Sequence, residues 1–204
     1  MIFSSWNIRG LNDPLKQQEV LSFLLRNIVD CGAVLETHIK TASAPGIYKT
    51  MFGRYIKEDN YGAYYNGRIW VLWNPKTVMV SVLEYSSQFI HISLTCLVTN
   101  QKFLLTFVYA FNSAVDRLVL WEHLVRISST MDGPWACMGD FNIILKEEER
   151  FGNTQAHYTE MQDLYTCLVS SSLFDHPATG CTYTWTNKRD ASACWAKLDR
   201  VVVN

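Results

Sequence analysis

Polar side chains stand at the ends of several apolar segments of this chain. They are Asn7, Glu36, Tyr109, Asp140, Asn142 and Asp199. A polar group at the end of a buried strand is costly unless it forms hydrogen bonds or binds something. Several such places in one chain indicate a shared site at one end of the sheets. Carboxylate and amide oxygens suit a hard divalent cation that keeps several of its waters, so Mg²⁺ or Mn²⁺ is the expected cofactor.

Each of these residues, taken alone, also has an ordinary structural explanation. Asn7 could begin a turn, and Glu36 could end a solvated strand. The Gly-Asp-x-Asn segment at 139–142 is common turn chemistry, because Asp and Asn bond their own backbone and tolerate the left-handed region. Tyr109 could be a packed aromatic, and Asp199 could form a surface pair with the arginine that follows it. The evidence therefore lies in the ordered set and not in any one member.

The hydrophobic pattern predicts which elements position these residues. Strands are expected at residues 2–8, 33–35, 68–73, 77–84, 89–98, 102–110, 135–138, 182–186 and 198–203. Asn-Pro at 74–75 and Thr-Asn-Gln at 99–101 supply turns between them. The alternation of apolar and polar residues over 89–94 predicts a half-buried antiparallel strand.

Three helices are predicted between the strands. Asp13 followed by Pro14 is typical of a helix start, and Ser113 with Asp116 has the spacing of a capping box. The first two helices are expected to bury Val20, Leu21, Leu24, Leu25 and Ile28, and Leu118, Trp121, Leu124 and Val125. The third is expected to bury Met161, Leu164 and Leu168.

Strand-rich halves with helices between them predict an α/β fold, in which two mixed sheets form a sandwich and the helices lie outside. The chain has 204 residues, of which 49% are hydrophobic, and this is enough to bury a sizeable core. A single domain spanning 1–204 is therefore expected.

The charge balance excludes a protein that attracts nucleic acid by bulk basic charge, because the formal net charge is -1. Contact with DNA would need a local basic patch. The basic residues nearest the motifs are Arg9, Lys40, Lys146, Lys188, Arg189 and Arg200. Each of them could bind a phosphate or could be a solvated loop charge.

The six cysteines have no C-x-x-C pair and no zinc-finger spacing, which favours reduced thiols in an intracellular protein, nuclear or cytoplasmic. The first residues lack the pattern of a signal peptide, and no apolar run approaches the ~18 residues of a membrane span. No targeting signal, membrane association or stable protein partner is predicted.

Taken in order, the segments 6–11, 35–38, 67–73, 108–112, 139–142, 184–187 and 198–200 resemble the endonuclease domain of plant non-LTR (LINE-type) retrotransposons. That domain belongs to the endonuclease/exonuclease/phosphatase family, with abasic-site endonucleases and deoxyribonuclease I. The resemblance runs from residue 2 to residue 204. It implies a four-layer, deoxyribonuclease I-like sandwich and a magnesium-dependent hydrolase that nicks DNA.

The resemblance also implies a role for each candidate residue. Glu36 matches the metal-binding glutamate, with Asn7 in the same site, and Tyr109 matches a tyrosine that contacts the scissile phosphate. Asp140 matches the aspartate that positions or deprotonates the attacking water. Asn142 matches an asparagine that bonds the phosphate, and Asp199 matches the aspartate that orients a histidine lying further on.

The family pattern continues after the Leu-Asp-Arg segment with a Ser-Asp-His motif on another core strand. The printed sequence stops at Asn204 without it, so the domain is expected to be truncated, with its last core strand missing. Asp175-His176 precedes the Thr-Trp segment at 184–185 and is not expected to replace that motif.

Three functions remain open at this stage. The first is a metal-dependent, DNA-nicking endonuclease of retroelement origin. The second is a catalytically dead remnant or a nucleic-acid-binding module, which the missing Ser-Asp-His motif favours. The third is a phosphatase of the same fold.

Overall fold

A computed structural model describes residues 1–65, 68–152, 158–189 and 192–204. The described chain divides into two compact units, Met1–Tyr109 and Ala110–Asn204, and each is described by itself. Gly67, which belongs to one of the sequence motifs, and His157 lie outside the described residues.

Unit 1 is built around two sheets. Its strands are β1 (Phe3–Asn7), β2 (Cys31–Leu35), β3 (Ile56–Asp59), β4 (Ile69–Trp73), β5 (Val78–Tyr85), β6 (Phe89–Cys96) and β7 (Lys102–Tyr109). Its helices are α1 (Pro14–Arg26) and the short α2 (Ala44–Ile47), which runs into a π-helical turn at Tyr48–Phe52.

The first sheet is mixed, as the sequence predicts, and has the order β1-β2-β4-β3. β1 and β2 are parallel and joined through α1, whereas β4 is antiparallel to both β2 and β3. β2 and β4 are buried along their whole length. These central strands fix the edge at which β1 and β2 end together.

The strands β5, β6 and β7 form an antiparallel ribbon, and β4 contacts both β6 and β7. The prediction of a half-buried strand at 89–94 is wrong, because Phe89, Ile90, His91 and Ile92 are all buried. β6 has a strand on either side and is covered on both faces there. The expected alternation occurs instead in β5, the neighbour that lies at the edge of the ribbon.

Helix α1 begins as predicted, since the Asp13 side chain accepts a hydrogen bond from Leu15 N at 2.9 Å. It buries Val20 and Leu24, but the predicted core positions Leu25 and Ile28 are 42% and 74% exposed. The helix ends before Ile28, which has a φ of 50°. Ile28 therefore occupies the left-handed position of a helix-terminating motif and not a turn of the helix.

Unit 2 contains two longer helices and several short strands. They are α3 (Ala114–Thr130), β8 (Trp135–Asp140), β9 (Arg150–Gly152), α4 (Tyr158–Ser170), β10 (Phe174–Asp175), β11 (Trp185–Thr186), β12 (Cys194–Ala196) and β13 (Asp199–Val203). A 3-10 turn at Glu147–Glu149 precedes β9.

In unit 2, β13 pairs antiparallel with both β8 and β10, and β12 pairs antiparallel with β9 and β11. The prediction that β8 ends at Met138 is wrong: the strand continues through Gly139, which pairs with Arg200, to Asp140. The register places Asp199 directly opposite Asp140. Two of the candidate residues are therefore neighbours across a strand pair.

The predicted inner face of α3 is partly wrong. Trp121 and Leu124 are buried, but Leu118 is 42% exposed and Arg117 is buried in its place. The Arg117 guanidinium donates to Phe111 O at 2.9 Å and also pairs with Glu160 of α4, so its burial is compensated. The cap and the α4 face are as predicted: Ser113 Oγ accepts from Asp116 N, and Met161, Leu164 and Leu168 are buried.

All six cysteines are free thiols, as predicted; five are buried and Cys181 is exposed. Within the described ranges, no helix has the length and apolar character needed to cross a membrane.

Candidate functional site

The ends of β1 and β2 bring Asn7 and Glu36 to the same edge of the first sheet. Asn7 lies opposite Leu35 in the parallel register, and Glu36 follows directly. Beyond the strands the two chain segments stay bonded, with Gly10 N donating to Glu36 O and Leu11 N to Thr37 O, both at 2.7 Å. The backbone on both sides of the predicted metal ligands is therefore fixed.

This edge holds three non-glycine residues in the left-handed region: Arg9 (φ 51°), Glu36 (φ 57°) and His38 (φ 51°). Such conformations cost free energy and occur preferentially at functional sites. The Asn7 side-chain oxygen accepts from Arg9 N at 3.1 Å, which stabilises the turn. The turn explanation for Asn7 is thus correct.

Lys16 of α1 holds the same loop from the helix side. Its Nζ donates to Ile8 O at 2.9 Å and to Arg9 O at 2.8 Å. Two charge-assisted hydrogen bonds to adjacent carbonyls fix the backbone that follows Asn7.

The Glu36 carboxylate is accessible and has a neighbour that the sequence argument gave no role. His38 Nε2 lies 3.2 Å from Glu36 Oε1, and the two side chains are 58% and 24% exposed. Exposed pairs of this kind contribute little to stability. Glu36 is therefore positioned at the surface, where a ligand can reach it.

Arg68 is the second residue that the sequence argument missed, although it lies within one of the quoted motifs. Its guanidinium carbon is 4.0 Å from the ring centroid of Tyr109 and 5.2 Å from that of Tyr64. Burial lowers the pKa of Arg68, and Tyr109, Tyr64 and Glu36 oppose that shift. Arginine remains a cation under these conditions, so a positive charge lies beside the predicted phosphate-contacting tyrosine.

In unit 2, Asp140 and Asn142 form one hydrogen-bonded turn at the end of β8. Asp140 Oδ1 accepts from Asn142 N at 2.9 Å, and Asn142 adopts a φ of 51°. Asn142 Nδ2 donates to Ala110 O at 2.7 Å, and Ala110 N donates to Asp140 O at 2.9 Å. Asp140 is only 5% exposed. The turn interpretation is correct, and the same bonds preorganise both side chains.

Asp199 begins β13 directly opposite Asp140. Its backbone N–H donates to Thr184 Oγ1 at 3.0 Å, and the same oxygen accepts from Leu198 N at 3.1 Å. Side chains of directly opposed residues lie on one face of an antiparallel pair. Unit 2 therefore brings together Asp140, Asn142 and Asp199, just as unit 1 brings together Asn7 and Glu36.

The suggestion that Arg200 binds a phosphate or forms a surface pair with Asp199 is wrong. Its side chain is fully buried, with Nη2 2.7 Å from Glu149 Oε2 and Nη1 3.3 Å from Asp175 Oδ1. Lys197 completes the cluster at 2.6 Å from Asp175 Oδ2. Burial favours the neutral form of Glu149, but the hydrogen bond and charge of Arg200 outweigh it, so the pKa of Glu149 is lowered.

His176 is exposed, and its Nδ1 lies 2.8 Å from Pro177 O. The neighbouring Asp175 carboxylate is bound to Lys197 and Arg200 instead. The other proposed phosphate contacts are exposed: Arg9, Lys40, Lys146, Lys188 and Arg189.

The residues at the unit 1 edge can be compared with what a divalent cation requires. Among the described residues, no group of three or more His, Cys, Asp or Glu side chains is placed to hold a metal ion. Mg²⁺ needs fewer protein ligands, because it keeps several waters and is often bound through one or two carboxylates and the substrate phosphate. The Glu36 carboxylate and the Asn7 amide oxygen fit that requirement.

In a comparison with protein families, residues 4–204 match the Endonuclease/Exonuclease/phosphatase family. Among curated protein sequences, none matches the chain significantly.

Solved structures with the same fold include an AP endonuclease from Leishmania major, with 16% identity and a TM-score of 0.72 over 99% of this chain and 78% of that one. A 3′ phosphatase from Neisseria, bound to a product DNA hairpin, has 18% identity and a TM-score of 0.71 over 98% and 85%. The endonuclease domain of a telomere-specific non-LTR retrotransposon has 12% identity and a TM-score of 0.71 over 95% and 81%. These similarities confirm the predicted fold class, a mixed α/β two-sheet sandwich with helices outside.

Proposed function

We propose, because the chain belongs to the Endonuclease/Exonuclease/phosphatase family, that it is a metal-dependent phosphodiester hydrolase that nicks DNA. The observation that carries the proposal is the turn after β8, where the nearly buried Asp140 carboxylate accepts the backbone N–H of Asn142. A carboxylate held in a fixed orientation can act as a general base toward a water.

Asp140 positions the attacking water and takes up its proton. Asn142, whose amide is oriented by the bond to Ala110 O, donates its remaining N–H to a phosphoryl oxygen. The Tyr109 hydroxyl contacts the scissile phosphate, and Asp199 corresponds to the family's aspartate that orients a histidine further along the chain. These roles follow the family resemblance residue by residue and are consistent with the local bonding of each side chain.

Glu36, with Asn7 beside it, would hold Mg²⁺ or Mn²⁺ at the unit 1 edge. The bound ion supplies positive charge that stabilises the phosphoryl and leaving oxygens. Backbone hydrogen bonds on both sides of Glu36 fix the main chain from which its carboxylate extends.

A retroelement origin, in a plant-like LINE lineage, rests on the order of the sequence motifs. The similarity to the endonuclease domain of a telomere-specific non-LTR retrotransposon is consistent with it. DNA as the substrate is supported by the same motifs, and the exposed Lys40, Lys188 and Arg189 offer positive charge for its backbone.

The test is a supercoiled-plasmid nicking assay with Mg²⁺ or Mn²⁺, comparing the wild-type chain with Asp140→Asn. Loss of one catalytic side chain commonly lowers the rate roughly 10²–10³-fold. Nicking by Asp140→Asn should therefore be undetectable. Asp132→Asn, a change of the same type at an exposed loop residue, is the matched control and should nick normally. Circular dichroism shows whether each variant is folded.

Nicking by the wild type and by Asp132→Asn, but not by Asp140→Asn, would support the proposal. A folded wild type that does not nick would show that the chain has the family fold but lacks the proposed activity. Equal nicking by Asp140→Asn would point to a contaminating nuclease. Hydrolysis of a phosphomonoester without nicking would identify a phosphatase instead.

A further inference from the structure

One cation of unit 1 is held against the predicted phosphate-contacting tyrosine. Arg68 lies immediately before β4, and Tyr109 is the last residue of β7. The guanidinium lies over the Tyr109 ring at 4.0 Å, with the Tyr64 ring 5.2 Å away. Stacking on aromatic faces is a preferred arrangement of arginine, and it orients the plane of the guanidinium.

The backbone and the side chain of Arg68 are tied to different candidate residues. Its carbonyl oxygen accepts from Glu36 N at 2.7 Å, and its Nη2 donates to Tyr109 O at 3.1 Å. Arg68 therefore connects the predicted metal ligand with the predicted phosphate contact. A displacement of either residue would be transmitted to the guanidinium.

We propose that Arg68 is a further catalytic residue, which binds a non-bridging oxygen of the scissile phosphate and stabilises the charge that develops there. The inference rests on the function proposed above. An arginine presents five N–H donors in the plane of its guanidinium, whereas ring stacking uses the faces of that plane. Stacking on Tyr109 and bonding to a phosphate are therefore compatible. Arg68 forms no covalent bond and transfers no proton in this role.

A second stacked cation in unit 1 shows what a purely structural role looks like. Lys57 Nζ lies 4.9 Å from the Trp70 ring centroid, but it also forms an ion pair with Asp59. That pair neutralises the lysine on its own strand. The Glu36 carboxylate, which belongs to the predicted metal site, acts on Arg68. An electrostatic partner of Arg68 is therefore a residue of the candidate site, whereas the partner of Lys57 lies on its own strand.

The experiment compares the wild type with Arg68→Gln and Arg68→Lys. Binding of duplex DNA is measured by fluorescence anisotropy in EDTA between about 50 and 200 mM salt, and nicking is measured separately with Mg²⁺. Loss of one phosphate contact should reduce the slope of log K against log salt by about 0.9 in Arg68→Gln. Its kcat should fall by roughly 10²–10³, as for one removed donor at an oxyanion.

Arg68→Lys keeps the positive charge but lacks the planar set of N–H donors of the guanidinium. The slope of its DNA affinity against salt should therefore match the wild type, while its kcat falls by about tenfold or more. Lys102→Gln is the matched control, because this exposed cation lies at the opposite end of β7 from Tyr109. Its kcat should be unchanged. If Arg68→Gln does not fold, Arg68→Lys decides: wild-type kcat in that variant would overturn the proposal.

The outcomes separate this inference from the proposed function. A folded wild type that neither binds nor nicks DNA would overturn both. A wild type that nicks, together with an Arg68→Gln variant of unchanged slope and kcat, would overturn only the role of Arg68.

Discussion

Arg200 in unit 2 and Arg68 in unit 1 show how differently two arginines of one chain are used. Arg200 is completely buried and contacts the carboxylates of Glu149 and Asp175. Arg68 is stacked on Tyr109 and Tyr64, and its side chain bonds a backbone carbonyl. In the first case the positive charge is neutralised by partners within the unit. In the second it is stacked on uncharged rings beside a residue of the candidate site.

The comparison distinguishes an arginine that stabilises the fold, Arg200, from one that is proposed to act on a ligand, Arg68. A buried ion pair contributes mainly through the penalty for losing one partner, because the other charge is then left uncompensated. A stacked cation contributes less to stability and more to the local potential. Substitutions at the two clusters should therefore affect different measurements.

The largest stability effect is expected at Arg200. Arg200→Met should lower the free energy of unfolding by about 3–5 kcal/mol, because Glu149 and Asp175 lose their buried partner. Urea denaturation followed by circular dichroism measures it. Arg68→Met is the matched substitution in unit 1, and an equal loss of stability there would break the comparison. Adding Glu149→Gln to Arg200→Met should recover part of the loss.

The Glu149 carboxylate should make stability depend on pH. Its folded-state pKa lies below the ordinary value of 4.5, so the native state binds fewer protons than the unfolded chain. The stabilisation is present above that value and is lost as the pH falls through the lowered pKa. Glu149→Gln should cost about 1.5–3 kcal/mol near neutral pH, and less in acid. Urea unfolding across the acidic range measures the difference, and a constant difference would contradict the prediction.

Divalent cations should raise the stability of the chain by binding at the sheet edge of unit 1 that carries Asn7 and Glu36. No such effect is expected at the buried ion-pair cluster of Arg200 in unit 2. At a Mg²⁺ concentration of about ten times Kd, binding to the native state alone stabilises it by about 1.4 kcal/mol. Glu36→Gln should remove this Mg²⁺-dependent shift in thermal unfolding. Glu58→Gln, an exposed glutamate of β3, is the control and should keep it. A full shift in Glu36→Gln would exclude Glu36 as a ligand.

The smallest effect is expected at Tyr64, the more distant of the two rings that lie against Arg68. Tyr64→Leu removes a ring 5.2 Å from the Arg68 guanidinium and should lower stability by about 0.5–1 kcal/mol. Nicking should fall by a few-fold, because Arg68 loses one of the surfaces that orient it. Tyr85→Leu, at the exposed edge strand, provides a control for loss of a surface tyrosine. Nicking unaffected in Tyr64→Leu would show that Tyr109 alone orients the cation.

Much of the fold follows from local sequence signals. The helix starts at Asp13 and Ser113 were predicted because a capping side chain and its N–H partner lie two or three residues apart. The candidate residues do lie at strand ends: Asn7 ends β1, Tyr109 ends β7 and Asp140 ends β8. Short elements such as α2 and β3 were not predicted, because four residues are too few to show a periodic pattern of apolar side chains.

The roles of the two arginines could not be predicted, because they depend on distant partners. Glu149 precedes Arg200 by 51 residues, and Tyr109 follows Arg68 by 41. A sequence window gives the charge of each arginine and its neighbours, but not which carboxylate or ring will meet it. Arg117 illustrates the same limit, since its burial depends on Glu160 of another helix.

The left-handed backbone at Arg9, Glu36 and His38 has a consequence for how this sequence changes over generations. Each non-glycine residue held there carries a strain of order 1–3 kcal/mol, which glycine would relieve and asparagine would reduce. A lineage released from selection for cleavage can therefore gain stability by a single substitution at any of these positions. Under the proposed function, drift toward glycine or asparagine at position 36 among related sequences would indicate that cleavage is no longer selected. A glutamate kept there despite its backbone strain would indicate continuing selection.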